Sequence, residues 1–401
     1  MATGGLSAAR LRRMHDVLAG HVDNGELPGM ITLVSRHGDV HVDVIGTLAM
    51  GGTAQMERDT IFRVASMTKP IVAAAAMILV EECRLGLDEP VDGLLPELAD
   101  RRVLTSLESQ LDDTVPANRS ITLRDLLTFR LGIGQLMAPP DKYPILAAAT
   151  EQKVITGPPD PTSMLPADEW LRRLGELPLM YQPGERWLYN TGSDILGVLI
   201  ARATDQSLED FLRDRIFEPL GMVDTAFSLP AKDVDRLATS YMPNQQTGEL
   251  EVFDTQNGMW AAPPPFQSGA GGLVSTVDDY LAFGTMMLNQ GRYRTRRILS
   301  RPSVAAMTTD QLTQAQKAVS GFLPGYFDNL GWGFGVSVVT GRDTPYATPG
   351  RYGWDGGLGT TWATDPAEDL VAVLLTQRAG FPLVSKVYQD FWTSVYAAID
   401  D

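Results

Sequence analysis

Strand-forming segments gather at the two ends of this chain and leave a helix-rich middle, a layout that constrains the fold more than any other feature. Near the start, Met30 to Arg36 and Asp39 to Ile45 are β-rich runs separated by His37-Gly38, the signature of a hairpin. An amphipathic stretch from about Ser7 to Val22 precedes them as a helix. Near the end, β-like runs occur at Gly333 to Thr340, Thr360 to Thr364 and Leu370 to Thr376, and an amphipathic helix closes the chain from about Leu383 to Ile399. Two such ends complete one antiparallel sheet flanked by helices. The predicted class is α/β in the α+β sense. Residues 1–95 and 266–401 build the sheet region, residues 96–265 form an inserted, mainly helical lobe, and a cleft opens where the two meet.

The strongest helical signal runs from Phe62 to Arg84, with Pro70 tolerable in the first turn and Gly86 as the stop beyond the end. Another helix is expected from an N-cap in Ser275-Thr276-Val277-Asp278 to about Asn289. The Pro-rich stretch from Pro139 to Pro166 is too long for a plain connection, and is expected to be a site wall or disordered.

Composition excludes several functions. A formal charge of -16 repels phosphate backbones, and no Lys/Arg run exceeds pairs such as Arg12-Arg13, so nucleic acid is not an expected partner. The run from Ile71 to Val80 is too short to span a bilayer, and the first twenty residues lack the apolar core of a secretory signal. The expected setting is cytoplasmic, without membrane attachment. Cys83, the single cysteine, falls in an apolar helix-like stretch and is expected to be a small buried hydrophobe. His37 and His41 flank a turn without an accompanying H-E-x-x-H pattern, so no metal is expected. No cofactor is implied, and oligomeric state is not readable.

All four histidines, His15, His21, His37 and His41, precede the best nucleophile candidate, Ser66. A Ser-His-Asp triad therefore lacks its base, and G-x-S-x-G is absent. Ser66 and Lys69 form the one S-x-x-K in the chain, three apart, on one face of a helix at its N-terminal end. The amine can contact the hydroxyl there, and backbone N–H groups favour a developing oxyanion. Lys69 can act as the base if burial lowers its pKa, or it can hold a phenolate that does so.

The ordered blocks around this motif carry a resemblance. FRVASMTKP at Phe62 to Pro70, LGLDEPV from Leu85, ITLRDLLT from Ile121, PGERWLYNTGSDILG from Pro183, FEPLGM from Phe217, GAGGLVST from Gly269 and Trp354-Asp355-Gly356 together resemble the class C β-lactamase-like serine hydrolases, especially family VIII carboxylesterases. The resemblance implies a β-lactamase/penicillin-binding-protein-like fold and a serine carboxylesterase working through an acyl-serine intermediate. It implies Ser66 as nucleophile with Lys69 and Tyr189 as the proton-moving partners. Tyr189 is the base in that reading, its phenol made usable by the neighbouring cation. The implied oxyanion hole is the backbone N–H of Ser66 and of Gly357.

Two departures bear on substrate. Penicillin-recognising relatives carry Lys-Thr-Gly where this chain has Trp354-Asp355-Gly356, the expected substrate-binding segment. An indole and a carboxylate there remove attraction for an anionic substrate, so a small neutral ester, short-chain or apolar, is the expected partner. The Tyr-x-Asn element becomes Tyr189-Asn190-Thr191, losing the amide at its third position. Phe129-Arg130-Leu131 replaces the His-Thr-Ser common in relatives. Trp260, Phe266 and the Pro263 to Pro265 run are expected to line the cleft. β-Lactam or D-amino-acid peptide hydrolysis, or acyl transfer, remain the alternatives on the same fold.

Overall fold

The computed structural model describes residues 4–155, 157–244, 246–380 and 385–401. Its centre is a seven-stranded antiparallel sheet built from both ends of the chain. The strands are β1 (Gly29–Arg36), β2 (Asp39–Gly46), β3 (Leu330–Trp332), β4 (Ser337–Val339), β5 (Tyr352–Gly356), β6 (Thr360–Asp365) and β7 (Leu370–Thr376), in the spatial order β3-β4-β5-β6-β7-β1-β2. The hairpin β1–β2 turns at His37 and Gly38, both with positive φ, which suits a tight two-residue loop between right-twisted strands. β1 then joins the C-terminal strands through β7, with Leu33 opposite Val373.

Both faces of the central strands are covered, so β1 and β7 read as nearly unbroken apolar runs. Met30, Val34, Ala372 and Leu374 pack under helices α1 (Ala8–Asp23) and α5 (Lys386–Ala397), chiefly against Leu18, Phe391 and Trp392. Ile31, Leu33, Val373 and Leu375 face the larger core with α2 (Thr68–Glu81) and α4 (Val277–Leu288). The first residues of the expected closing helix, Leu383 and Val384, lie outside the described residues. Thr276 caps α4 with its side chain, as its sequence suggests.

Several local expectations need correction. The helical signal from Phe62 begins as a two-residue strand, Phe62–Arg63, paired with Val274–Ser275. A 3-10 turn at Ala65–Met67 then leads into α2. Gly86 does not end that helix. Cys83 does: its φ of 56° is left-handed, its N–H reaches the Val80 carbonyl, and the Arg84 N–H reaches the Leu79 carbonyl, a Schellman motif. Cys83 is accordingly exposed rather than buried, because the residue after a helix turns away from the core. Of the Gly333 to Thr340 run only Ser337–Val339 is strand, as β4; β3 lies just before the run, and a turn with Gly335 at φ 72° separates the two. β5 was not predicted, because Gly353, Asp355 and Gly356 are poor strand formers. The Pro139 to Pro166 stretch contains a helix, Pro144–Glu151, and its far portion forms a wall of the cleft.

Three of the four histidines, His15, His21 and His37, contact carboxylates. His15 meets Asp43 at 2.9 Å, His37 meets Asp369 at 3.0 Å, and His21 lies between Glu26 and Asp390 at 2.8 and 2.9 Å. Among the described residues no group of three or more His, Cys, Asp or Glu is placed to hold a metal ion, and no helix is long and apolar enough to cross a membrane.

Candidate active site

Ser66 owes its position to a strained residue before it. Ala65 takes φ 44°, a left-handed conformation that costs an alanine roughly 1–2 kcal/mol. That turn carries the chain from the Phe62–Arg63 strand into the 65–67 turn, where Ser66 opens onto the cleft. Beneath it, the buried Arg63 guanidinium pairs with Asp254 and donates to the Ala238 and Thr255 carbonyls, anchoring the nucleophile segment. α2 then brings Lys69 one turn on, so that its Nζ donates to Ser66 Oγ at 3.0 Å. The N–H groups that follow Ser66 are taken up by the turn itself, Met67 donating to the Val64 carbonyl and Thr68 to that of Ala65.

Lys69 is fully buried, and this desolvation pushes its ammonium down to about 7 against the opposing pull of Asp194. Nζ also donates to Asn190 Oδ1 at 2.7 Å and to the Ala270 carbonyl at 2.6 Å. Tyr189 completes the group, its ring centroid 4.5 Å from Nζ and its phenolic oxygen in hydrogen-bond contact with Ser66. Ser66, Lys69 and Tyr189, distant in sequence, are thus brought together. The expected effect of Lys69 on the phenol does not prevail. Burial raises the Tyr189 pKa above the ordinary value of 10, outweighing the hydrogen bonds from Ser66 and Trp354 that act in the other direction. Tyr189 holds its proton in the resting site.

Tyr189 is fixed from three sides. Trp354 Nε1–H donates to its oxygen at 2.8 Å, Trp187 stacks on its ring at 5.5 Å, and Phe129 meets it edge-on at 5.8 Å. Phe129, the first residue of the unexplained Phe129-Arg130-Leu131 departure, has φ 55° and packs at 5.0 Å on Trp332. It forms the apolar backing of the phenol. Asn190 follows Tyr189 with φ 82°, a third positive-φ non-glycine residue at the site after Ala65 and Phe129. That strain turns its amide onto Lys69. The amide missing from the third position of the Tyr-x-Asn element is supplied one residue earlier.

The third segment divides its roles. Trp354, Asp355 and Gly357 line the cleft, whereas Gly356 packs away from it. A Cβ at Gly356 would lie 2.4 Å from the Val64 carbonyl oxygen and 2.2 Å from Thr360 Oγ1, so this glycine lets β5 press against the nucleophile turn. Gly357 has open space where a side chain would stand, and its backbone follows β5 on the Ser66 side of the cleft. Residues 354–356 have no partner strand on the β4 side, where pairing ends at Gly353.

The cleft has a volume of about 590 Å³. Trp260, Pro264 and Phe266 line it as expected, joined by Pro158, Met242 and Tyr326. Asp160, Asp194 and Asp355 face it, and among the described lining residues there is no Lys, Arg or His. Sequence reasoning missed Asn190, Asp194 and the Ala270 carbonyl. Only the polar residues just after Tyr189 hinted at the first two, and a backbone acceptor leaves no trace in side-chain identity.

The Beta-lactamase family model matches residues 14–389. The chain belongs to the Beta-lactamase family. Within it, similarity extends to Protein Rv1367c of Mycobacterium tuberculosis, 38% identical over 89% of this chain and 87% of that protein. Esterase EstB of Burkholderia gladioli is 31% identical over 88% of this chain and 86% of its own. Among solved structures, EstCE1, described as a hydrolase with promiscuous acyltransferase activity, superposes with a TM-score of 0.77 at 25% identity, covering 98% of both chains. The β-lactamase/penicillin-binding-protein-like fold and the similarity to esterases expected from the ordered blocks are therefore correct.

Proposed function

We propose that this Beta-lactamase family protein is a serine esterase that hydrolyses neutral carboxylic esters with apolar substituents through an acyl-Ser66 intermediate. The family and its esterase relatives support a serine hydrolase or acyltransferase. The observation that carries the finer reading is the 3.0 Å contact between Ser66 Oγ and a buried Lys69 whose pKa lies near 7, opening onto a cleft without a lining cation.

Lys69, neutral in a large share of molecules at pH 7, takes the proton as Ser66 Oγ attacks the ester carbonyl. The oxyanion is received by the N–H groups of Ser66 and Gly357. Tyr189 gives its proton to the departing alkoxide and is reprotonated from Lys69. Water then attacks the acyl-enzyme, and the proton it loses returns through the same groups to Ser66. This order differs from the role implied by the resemblance, because the buried phenol is too weakly acidic to start as phenolate. Trp354 and Asp355 in place of a cation and a hydroxyl leave nothing to hold a substrate carboxylate, which disfavours β-lactams and peptide C-termini.

Stopped-flow hydrolysis of p-nitrophenyl acetate and butyrate, run beside nitrocefin, tests the reading. Ester turnover with little nitrocefin hydrolysis is expected, and Ser66→Ala should abolish it. Comparable nitrocefin turnover would assign the protein to β-lactams instead. Transfer of the acyl group to an added alcohol is the second reading, favoured by the size and apolarity of the cleft and by the resemblance to EstCE1. Product analysis with and without butanol separates it from simple hydrolysis.

A further inference from the structure

Asp194 is a buried carboxylate in the active-site cleft for which the proposed chemistry has no use. It stands in the first turn of α3 (Thr191–Thr204), where an acidic residue commonly faces solvent and complements the helix dipole. Here the side chain is turned inward and only 6% exposed. Its Oδ1 accepts from Ser268 Oγ at 2.6 Å and from the Ala270 N–H at 3.1 Å. The other side of Ala270 meets the reacting group, its carbonyl accepting from Lys69 Nζ at 2.6 Å. Between these residues, Gly269 lies so close to α3 that a Cβ would stand 2.3 Å from the Ser193 carbonyl oxygen.

We propose that Asp194 is a positioning residue of the proton-transfer centre, clamping the Ser268–Ala270 segment so that the Ala270 carbonyl receives Lys69, and setting a carboxylate within electrostatic reach of its amine. The proposal rests on the reading of Ser66 and Lys69 as the reacting pair. Lys69 otherwise faces the Ser66 hydroxyl, the Asn190 amide and the Tyr189 phenol, with Asp355 beyond Tyr189. Asp194 is therefore the carboxylate that acts on it most directly. Removing its charge eases deprotonation of the ammonium, while removing its hydrogen bonds frees the segment that aims it.

The six lysines of the chain make the test direct. Protein labelled with [ε-13C]lysine is titrated by NMR, with Lys69 assigned through Lys69→Arg, in the parent, Asp194→Asn, Asp194→Glu and Ser268→Ala. Circular dichroism checks that each is folded. The Lys69 midpoint should fall by at least about half a pH unit in Asp194→Asn. It should stay near the parent value in Asp194→Glu and move slightly down in Ser268→Ala, where Asp194 loses a donor that favours its charged form. With p-nitrophenyl acetate, kcat of Asp194→Asn should drop roughly 10- to 100-fold, the acid limb following the NMR midpoint and KM staying within about threefold. An unmoved Lys69 midpoint in folded Asp194→Asn, or an equal loss of rate at every pH, overturns the proposal. The NMR titration needs no turnover. A protein that titrates as expected yet cleaves no ester refutes the esterase reading and leaves Asp194 in its role.

Discussion

The indole N–H of Trp354 donates to the phenolic oxygen of Tyr189 at 2.8 Å, in the segment where penicillin-recognising relatives present a lysine. A neutral donor at this point steadies negative charge on the phenol without attracting an anionic substrate. Trp354→Phe keeps an aromatic ring near Trp332, 4.6 Å away in the native packing, and deletes only the donor. The expected result is a fall in kcat of roughly 10- to 150-fold with KM little changed, since one hydrogen bond to a charged form is worth roughly 1.5–3 kcal/mol. Steady-state kinetics on a p-nitrophenyl ester measures it, and an unchanged kcat would remove Trp354 from the proton path.

The pH dependence of kcat/KM follows from Lys69. Its charged form cannot take the Ser66 proton, so activity should rise with pH through a midpoint near the value of about 7 that burial imposes, and be low at pH 5. Profiles recorded between pH 5 and 9 with a neutral ester give the midpoint. A flat profile through this window would show that Lys69 does not titrate as the base.

How far these predictions could be made from sequence differs along the chain. The hairpin at His37-Gly38, the capped helix at Thr276 and the apolar runs of β1 and β7 were readable because each depends on local periodicity or turn chemistry. β5 was not, because Gly353 and Gly356 are placed by close contact with distant backbone, the Trp362 carbonyl and the Val64 carbonyl, rather than by strand propensity. Ser66, in the 65–67 turn, and Lys69, in the first turn of α2, were found by their spacing, and Tyr189 by the ordered blocks around it. Asn190 and Asp194 escaped notice because their roles come from a left-handed backbone at Asn190 and from the approach of Ser268–Ala270, both set by tertiary packing. The direction of the Tyr189 shift was missed for the same reason: the extent of its burial depends on Phe129, Trp187 and Trp354, which meet only in the folded chain.

Cys83 offers a stability test independent of the chemistry. It occupies the left-handed position after α2 and is exposed, so Cys83→Gly removes Cβ strain without opening a cavity. Net stabilisation of about 0.5–1 kcal/mol is expected after the added freedom of the unfolded chain is subtracted. Urea unfolding measures it. Destabilisation would mean that the thiol packs against something the left-handed cap does not explain.

Asp279 lies largely buried at the start of α4, accepting from the Asp224 N–H and Thr225 Oγ1, both at 2.8 Å, and desolvation raises its pKa from 3.8 to about 6. The native state holds this proton more tightly than the unfolded chain. Its favourable contribution is therefore complete below pH 3.8 and is lost as pH rises through 6. Asp279→Asn keeps an acceptor oxygen and removes the charge, so it should stabilise the protein at pH 7 by about 1–2 kcal/mol and flatten the stability profile between pH 4 and 6. Thermal melts across that range check both effects.

The claim at the centre of this account is that Ser66 carries the acyl group. Intact and peptide mass spectrometry of protein acid-quenched milliseconds after mixing with p-nitrophenyl butyrate reads it directly. One butyryl adduct on the peptide containing Ser66 is predicted, accumulating in the parent and absent from Ser66→Ala. An adduct on another residue, or full turnover by Ser66→Ala, would contradict it.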